Sequence, residues 1–182
     1  AWEMTKRCPF RNGGATFPYV LHPGYVLDIR FFLWSMDPDY DPTTNAMLRF
    51  EVISSSTPAD TNIVAYSDPF AIRGAKVTTP TTGTSWELGT TNVISFIAAS
   101  IGSQATFTYS ADGGSTFEPD SIVPDYPIVD GTNTYSWAAE LSRQPSTNAV
   151  IRITGATGSG QSKPFTLGGV RVNRPIQYDI WA

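Results

Sequence analysis

The stretch "ATFTYSADGGSTF", Ala105 to Phe117, decides how the chain is read. Its first half alternates, which sets Phe107 and Tyr109 on one face of a strand and Thr106 and Thr108 on the other. Asp112-Gly113-Gly114 then turns the chain, because glycine reaches the positive φ of a tight turn without steric cost. Thr116-Phe117 is expected to begin the return strand. A second alternating run, "NAVIRI" from Asn148 to Ile153, sets Ala149, Ile151 and Ile153 against Val150 and Arg152. Both runs have the period of strands with one buried face.

Composition agrees. Only 15% of the 182 residues are charged, so the chain is short of the Lys, Glu and Arg that cover exposed helix faces. Hydrophobic residues make up 41%, too many for a disordered chain. Thr, Ser, Gly, Pro and aromatic residues favour strands and turns instead. The expected fold class is all-β.

Net charge is −4 and the few Lys and Arg are scattered, so no basic surface for nucleic acid is expected. No apolar run reaches the roughly 18 residues of a membrane span, and no signal peptide is read. The start at Ala1-Trp2-Glu3 lacks an initiator Met, as expected of a mature product or a fragment of something longer. The single cysteine, Cys8, excludes an internal disulfide and a four-cysteine zinc site. It is read as a buried or idle thiol, with an intermolecular disulfide as the other option.

The chain also repeats itself. Trp34 and Asn45-Ala46-Met47-Leu48-Arg49-Phe50 recur 103 residues later as Trp137 and Asn148-Ala149-Val150-Ile151-Arg152-Ile153. Ser67, Pro69, Phe70, Ile72, Gly74, Val77 and Pro80 recur 95 residues later as Ser162, Pro164, Phe165, Leu167, Gly169, Val172 and Pro175. The offset changes between Arg49 and Ser67, where the first copy carries extra residues including Ser54-Ser55-Ser56-Thr57-Pro58. Turns between strands absorb such insertions at small entropic cost. Trp86 matches Trp181 at the offset of 95, and Asn12-Gly13-Gly14-Ala15-Thr16-Phe17 matches Asp112 to Phe117 at an offset of 100. An ordered series of this kind marks a tandem array with a period of about 100 residues.

The expected organisation is residues 1–77 as an N-terminally incomplete repeat, 78–175 as a complete repeat, and 176–182 as the start of a further one. In the complete copy, Thr78 to Gly83 reads as an extended linker. Asn92–Ile97, Ala105–Tyr109, Thr134–Ala138, Ala149–Ile153 and Pro164–Val172 read as strands. Pro119 to Asp130 reads as a loop, Gly155 to Gly160 as a turn, and Ala138 to Arg143 as one short helical turn at most. Short strands with frequent turns fit two-sheet sandwiches.

The series Trp86, Ile94-Ser95-Phe96, Tyr109 to Phe117, Tyr135-Ser136-Trp137, Ala149 to Ile153 and Ser162-x-Pro164-Phe165 resembles the Ig-like modules of large secreted and surface proteins of bacteria. It is similar also to the Ig-like domain of Ser-Thr-rich, lipid-anchored cell-wall proteins of fungi. The resemblance implies tandem Ig-like (fibronectin III-like) β-sandwiches outside the cell, acting as spacer, stalk, lattice or adhesive modules. Ser110-Ala111-Asp112-Gly113-Gly114-Ser115-Thr116-Phe117 by itself looks like the Asp-box of sialidases and related propellers. That motif is structural where it occurs: its carboxylate and hydroxyls cap the N–H groups of a tight turn. The other copy has Asn12 in the aligned position, so a hairpin reading is expected over a catalytic one.

Candidate chemistry is sparse. Asp37, Asp39 and Asp41 alternate in an Asp-Pro loop and could offer hard oxygens to calcium, Ca2+, which takes 6–8 of them. The plainer alternative is a solvated Asp-Pro turn. His22 is the only histidine, so neither a Ser-His-Asp constellation nor a three-histidine metal site is read. His22 before Pro23-Gly24 reads as a turn residue, and a Cys8–His22 pair lacks any surrounding signature. Asp120, Asp125 and Asp130 share one loop, but a glycosidase needs two carboxylates facing each other across a sugar. Tyr19, Tyr25, Phe31, Phe32, Trp34 and Tyr40 crowd one segment, read as core packing or as aromatics that stack on a cell-surface glycan.

The expectation is therefore no catalytic residues, no enzyme, and no certain cofactor. The role is a structural module of a larger extracellular repeat protein, at the cell surface, in an S-layer or in a stalk. Its partners would be neighbouring repeats or copies of itself. The alternatives are a glycan-binding or adhesive module and an accessory segment of a secreted glycoside hydrolase.

Overall fold

The structure is a computed structural model that describes residues 4–7, 9–12, 19–20, 36–37, 39–54 and 61–170, with side chains over 36–37, 39–49 and 65–170. Every regular element among the described residues is a strand. The chain divides into two units, Ala1–Arg73 and Gly74–Ala182.

In the first unit the strands are β1 (Met4–Arg7), β2 (Pro9–Asn12), β3 (Tyr19–Val20), β4 (Thr43–Ser54), β5 (Thr61–Tyr66) and β6 (Phe70–Ile72). The long β4 is the spine. It pairs antiparallel with β1 and β5 along its second half and with β2 and β6 along its first. Ala46 on β4 and Ile72 on β6 are buried, with Tyr40, Leu48 and Phe70 packed against them.

The second unit has β7 (Gly74–Thr79), β8 (Ser85–Glu87), β9 (Thr91–Ala99), β10 (Gln104–Ser110), β11 (Val123–Pro127), β12 (Gly131–Ala138), β13 (Ser146–Gly155), β14 (Ser159–Gln161) and β15 (Phe165–Gly168). One sheet runs β11-β10-β13-β15-β8 with β14 beside β13; the other runs β12-β9-β7. Alternation in β9 (Ile94, Phe96, Ala98) and β10 (Ala105, Phe107, Tyr109) sends one side chain in two inward, and both sheets feed a single core. Phe96 meets Phe107 edge-on at 5.3 Å, and Trp137 sits 5.9 Å from Tyr109 and 6.1 Å from Trp86. Each such fully buried ring contributes about 1.5–3 kcal/mol.

Pairing in the two units follows one scheme. In the first, Thr43 pairs with Ile72 and Ala46 with Phe70, with an irregularity between them. In the second, Ser146 pairs with Leu167 and Ala149 with Phe165, again with an irregularity between them. The Leu48 amide donates to Ser67 Oγ at 2.9 Å, and the Ile151 amide to Ser162 Oγ at 3.0 Å. The Asn45 amide donates to Thr43 Oγ1, and the Asn148 amide to Ser146 Oγ. These are the residues that the offsets of 103 and 95 match.

At the turn the match slips by one. Arg11 pairs with Met47 and Ser110 with Val150, so Asn12 takes the ladder position of Ala111 and not that of Asp112. The aligned Asn12–Asp112 equivalence is corrected accordingly, because strand register and turn composition are set independently.

Several local expectations also change. Thr116-Phe117 is no strand: the return strand is β11, inside the stretch read as a loop, where Pro124 and Pro127 are tolerated because β11 lies at a sheet edge. Thr78 and Thr79 end β7, whose pairing with β9 starts at Gly74, ahead of the break expected between residues 77 and 78. Ser159 and Gly160 belong to β14, which shortens the expected turn. Glu140 to Arg143 forms a turn closed by the Arg143 amide on the Glu140 carbonyl at 3.1 Å.

Within the second unit Gly74 and Gly169 lie at opposite ends of β13. A Cβ on Gly158, just past the C-terminal end of β13, would lie 3.6 Å from the Gly74 Cα. At the other end Ser146 pairs with Leu167, and β15 leads directly to Gly169 beside Leu88. Ten residues of extended chain separate those ends by about 30 Å.

Candidate functional site

Leaving β10, the chain folds its turn back over the outer face of the larger sheet. Gly113 (φ 75°) and Gly114 (φ 89°) are needed for the left-handed backbone. A Cβ on Gly113 would strike the Asn148 amide group, and one on Gly114 would lie 3.0 Å from Gln161 Oε1. Phe117 does not reach the core: it lies half-buried beneath the Arg152 guanidinium, 3.6 Å from ring centroid to Cζ. The ring meets a cation because the turn packs outside the sheet.

Asp112 is the hub of the turn. The Thr116 amide donates to its Oδ1 and Oδ2 at 2.8 and 3.0 Å, and the Thr116 hydroxyl donates to Oδ2 at 2.6 Å. The Ser110 hydroxyl donates to Oδ1 at 2.7 Å, while Ser110 Oγ accepts from the Gly114 amide at 2.8 Å. The hydrogen bonds from the Thr116 side chain and backbone, then that from Ser110, hold the Asp112 carboxyl down at about 2. A carboxylate occupied in this way closes a turn and has no proton to give at neutral pH.

Next to the turn, Arg143 is buried and fully engaged. Its Nη1 donates to Glu118 Oε2 at 2.8 Å and to the Asp120 carbonyl at 2.6 Å. Its Nη2 donates to the Ser121 carbonyl at 3.0 Å, and its Nε to Glu140 Oε2 at 2.9 Å. Burial opposes ionisation at Glu140, yet the hydrogen bond and charge of Arg143 hold its carboxyl below the ordinary value. Burial alone would lower the guanidinium's pKa, but its bonds to Glu140 and Glu118 raise it. The Tyr109 hydroxyl donates to the Gln144 carbonyl at 2.7 Å, and its pKa is pushed up first by burial and then by the Glu118 charge. Arg143 ties the 118–121 loop to the 140–144 turn. Two open recesses flank it, of about 320 Å³ beside Asp112 and Thr116 and about 600 Å³ around Glu118, Asp120 and Ser142. Reading along the chain missed this residue, since its carboxylate partner Glu118 is distant in sequence; Glu140 three residues away was the only local signal.

The other candidates serve local turns or lie outside the described residues. Asp37 Oδ1 accepts from the Asp39 amide at 2.8 Å, and the Asp37 carbonyl from the Tyr40 amide at 3.0 Å, which makes a local turn. Among the described residues no three His, Cys, Asp or Glu side chains are gathered in metal-holding geometry, so Asp37, Asp39 and Asp41 form no such group. Asp130 Oδ1 accepts from the Ser100 amide at 2.7 Å, at a backbone position with φ 53°. Tyr40 packs against the Ala46–Ile72 cluster. The side chains of Cys8, Tyr19, His22, Tyr25, Phe31, Phe32 and Trp34, and residues 176–182, lie outside the described residues.

No protein-family model, curated protein or solved structure matches the chain. Among the described residues no helix is long and apolar enough to cross a membrane.

Proposed function

We propose that the chain is a non-catalytic structural segment of a larger extracellular repeat protein, built from tandem Ig-like (fibronectin III-like) β-sandwiches that space or tile a cell surface. One observation carries this reading: the pairing of β4 with β6 recurs in β13 with β15 at the residues that recur in sequence. Two sheets around one core in the second unit support the sandwich assignment. Asp112 serves the turn and Arg143 serves the loops, so the best-organised polar groups are accounted for by architecture. Neighbouring repeats or further copies of the chain are the partners that such an array requires.

Small-angle scattering tests it. A compact 182-residue globule has a radius of gyration of about 16 Å. Units strung end to end give a clearly larger value and an elongated distance distribution. A value at the compact limit would sink the spacer reading.

A further inference from the structure

Among the described residues of the second unit, the outer strands of both sheets are blunted except one. β11 carries Pro124 and Pro127 and turns to φ 46° at Asp125. β8 is three residues long and pairs parallel with β15. β7 lies against β14, where a Cβ on Gly160 would fall on the Ala75 carbonyl. Prolines, short length and cover are the devices that keep an edge from pairing with another chain. β12 has none of them: it runs for eight residues beside β9 alone and holds neither Pro nor a charged side chain. Thr132, Thr134 and Ser136 are exposed along it.

The backbone of this edge has a defined direction. Just past β12, the Ala139 amide donates to the Thr90 carbonyl at 3.0 Å, and the Ala139 carbonyl accepts from the Gly89 amide at 2.7 Å. Ala139 therefore faces the β9 side. Antiparallel pairing alternates residue by residue, so the amides and carbonyls of Thr132, Thr134 and Ser136 face away from β9. The Thr134 carbonyl agrees, since it accepts from the hydroxyl of Tyr126, on β11 of the opposite sheet, at 2.9 Å. We infer that this edge is a self-association surface, on which β12 pairs antiparallel with β12 of a second copy about a two-fold axis at Thr134. The inference rests on the spacer reading only in taking a further copy of the chain as the partner.

Charge selects both the partner and the register. An uncharged strand meets its own copy without like charges, and Thr and Ser placed opposite one another form favourable cross-strand pairs. With the axis at Thr134, Thr134 faces Thr134 and Thr132 faces Ser136 in both directions, giving roughly six backbone bonds. Asp130 and Glu140, which flank the strand, then fall opposite Ala138 and Ile128 of the second copy. An axis one residue further on, at Tyr135, would set Asp130 opposite Glu140 twice, and like charges directly opposite are destabilising. One local group competes: the Tyr126 hydroxyl holds the Thr134 carbonyl at the axis and has to release it. Its ring stays in place against Phe107 and Tyr135, at 5.5 and 5.0 Å.

Sedimentation velocity of the full chain, reduced and loaded from about 10 µM to about 1 mM, reads the association. A concentration-dependent dimer is expected. Ser136→Pro removes an amide that faces away from β9, as an edge strand tolerates, and should weaken the dimer roughly tenfold or more. Thr134→Lys sets two cations against each other on the axis and should weaken it too, as should Thr134→Glu with two carboxylates. Mixing those two variants should restore the dimer. Tyr126→Phe keeps the ring, removes the competing hydroxyl and should tighten it. A chain monomeric across the range overturns the proposal, as does a dimer that persists in Thr134→Lys or a Lys–Glu mixture that stays monomeric. Those failures leave the spacer reading to the scattering of the monomer, whereas a compact monomer that still pairs through β12 defeats the spacer reading and keeps the edge.

Discussion

Ser162 and Ile151 hold each other at both ends of the residue: the Ile151 amide donates to Ser162 Oγ at 3.0 Å, and the Ser162 amide donates to the Ile151 carbonyl at 2.8 Å. Ser67 and Leu48 repeat the arrangement at 2.9 and 3.0 Å. The hydroxyl stands in for a ladder carbonyl at the break between two stretches of pairing, β14 and β15 along β13 and β5 and β6 along β4. Ser162→Ala leaves the buried Ile151 amide without an acceptor and should cost about 1–3 kcal/mol. Ser67 is only half-buried, so water can replace its hydroxyl and Ser67→Ala should cost less. Urea unfolding of both variants reads the difference; equal costs would contradict it.

Asp112 gives a pH signature. Its folded pKa of about 2 lies below the ordinary 3.8, so its ionised form contributes stability above pH 4 that fades as pH falls toward 2. Asp112→Asn keeps the shape and loses the charge. The variant should melt below the parent at neutral pH, with the gap closing between pH 4 and pH 2. A gap independent of pH across that window would show that the charge is idle.

Arg143 is the sharpest polar liability. Arg143→Ala leaves Glu118, Glu140 and the carbonyls of Asp120 and Ser121 without their donor. Losing one partner of a fully buried pair costs about 3–5 kcal/mol; Glu140 remains half-exposed here, so about 2–3 kcal/mol is expected. Because Lys lacks the planar fork, Arg143→Lys should restore under half of it. Calorimetry of the two variants checks both figures.

Gly160 is required for space, not for backbone freedom. A Cβ there would fall on the Ala75 carbonyl, where β14 closes against β7. Gly160→Ala should therefore destabilise the second unit by about 3 kcal/mol or more, as overpacking against immovable backbone does. Gly83 has φ 87° and nothing within reach of a Cβ, so Gly83→Ala should cost only about 1 kcal/mol. Comparable losses in the two variants would refute the distinction.

Much of the second unit was legible as sequence. The strands around Phe107 and Ile151 fall where alternation puts them, and those around Ile94 and Trp137 where short apolar runs put them. The irregular parts were less so. β11 was hidden in a run of Pro and Asp because an edge strand needs a partner on one side only, and the Phe117 ring found a cation outside the sheet and not the core. The ladder position of Asn12 depended on register, which motif alignment does not encode.

By itself the sequence determined the all-β class, the inward faces of β10 and β13 and the recurrence of the Asn45 and Asn148 segments. Local periodicity and side-chain size carry that information. Tertiary structure alone decided that Glu118 meets Arg143 across 25 residues and that β8 lies parallel to β15. Those facts depend on which surfaces meet once apolar area leaves water, and no local pattern specifies that meeting.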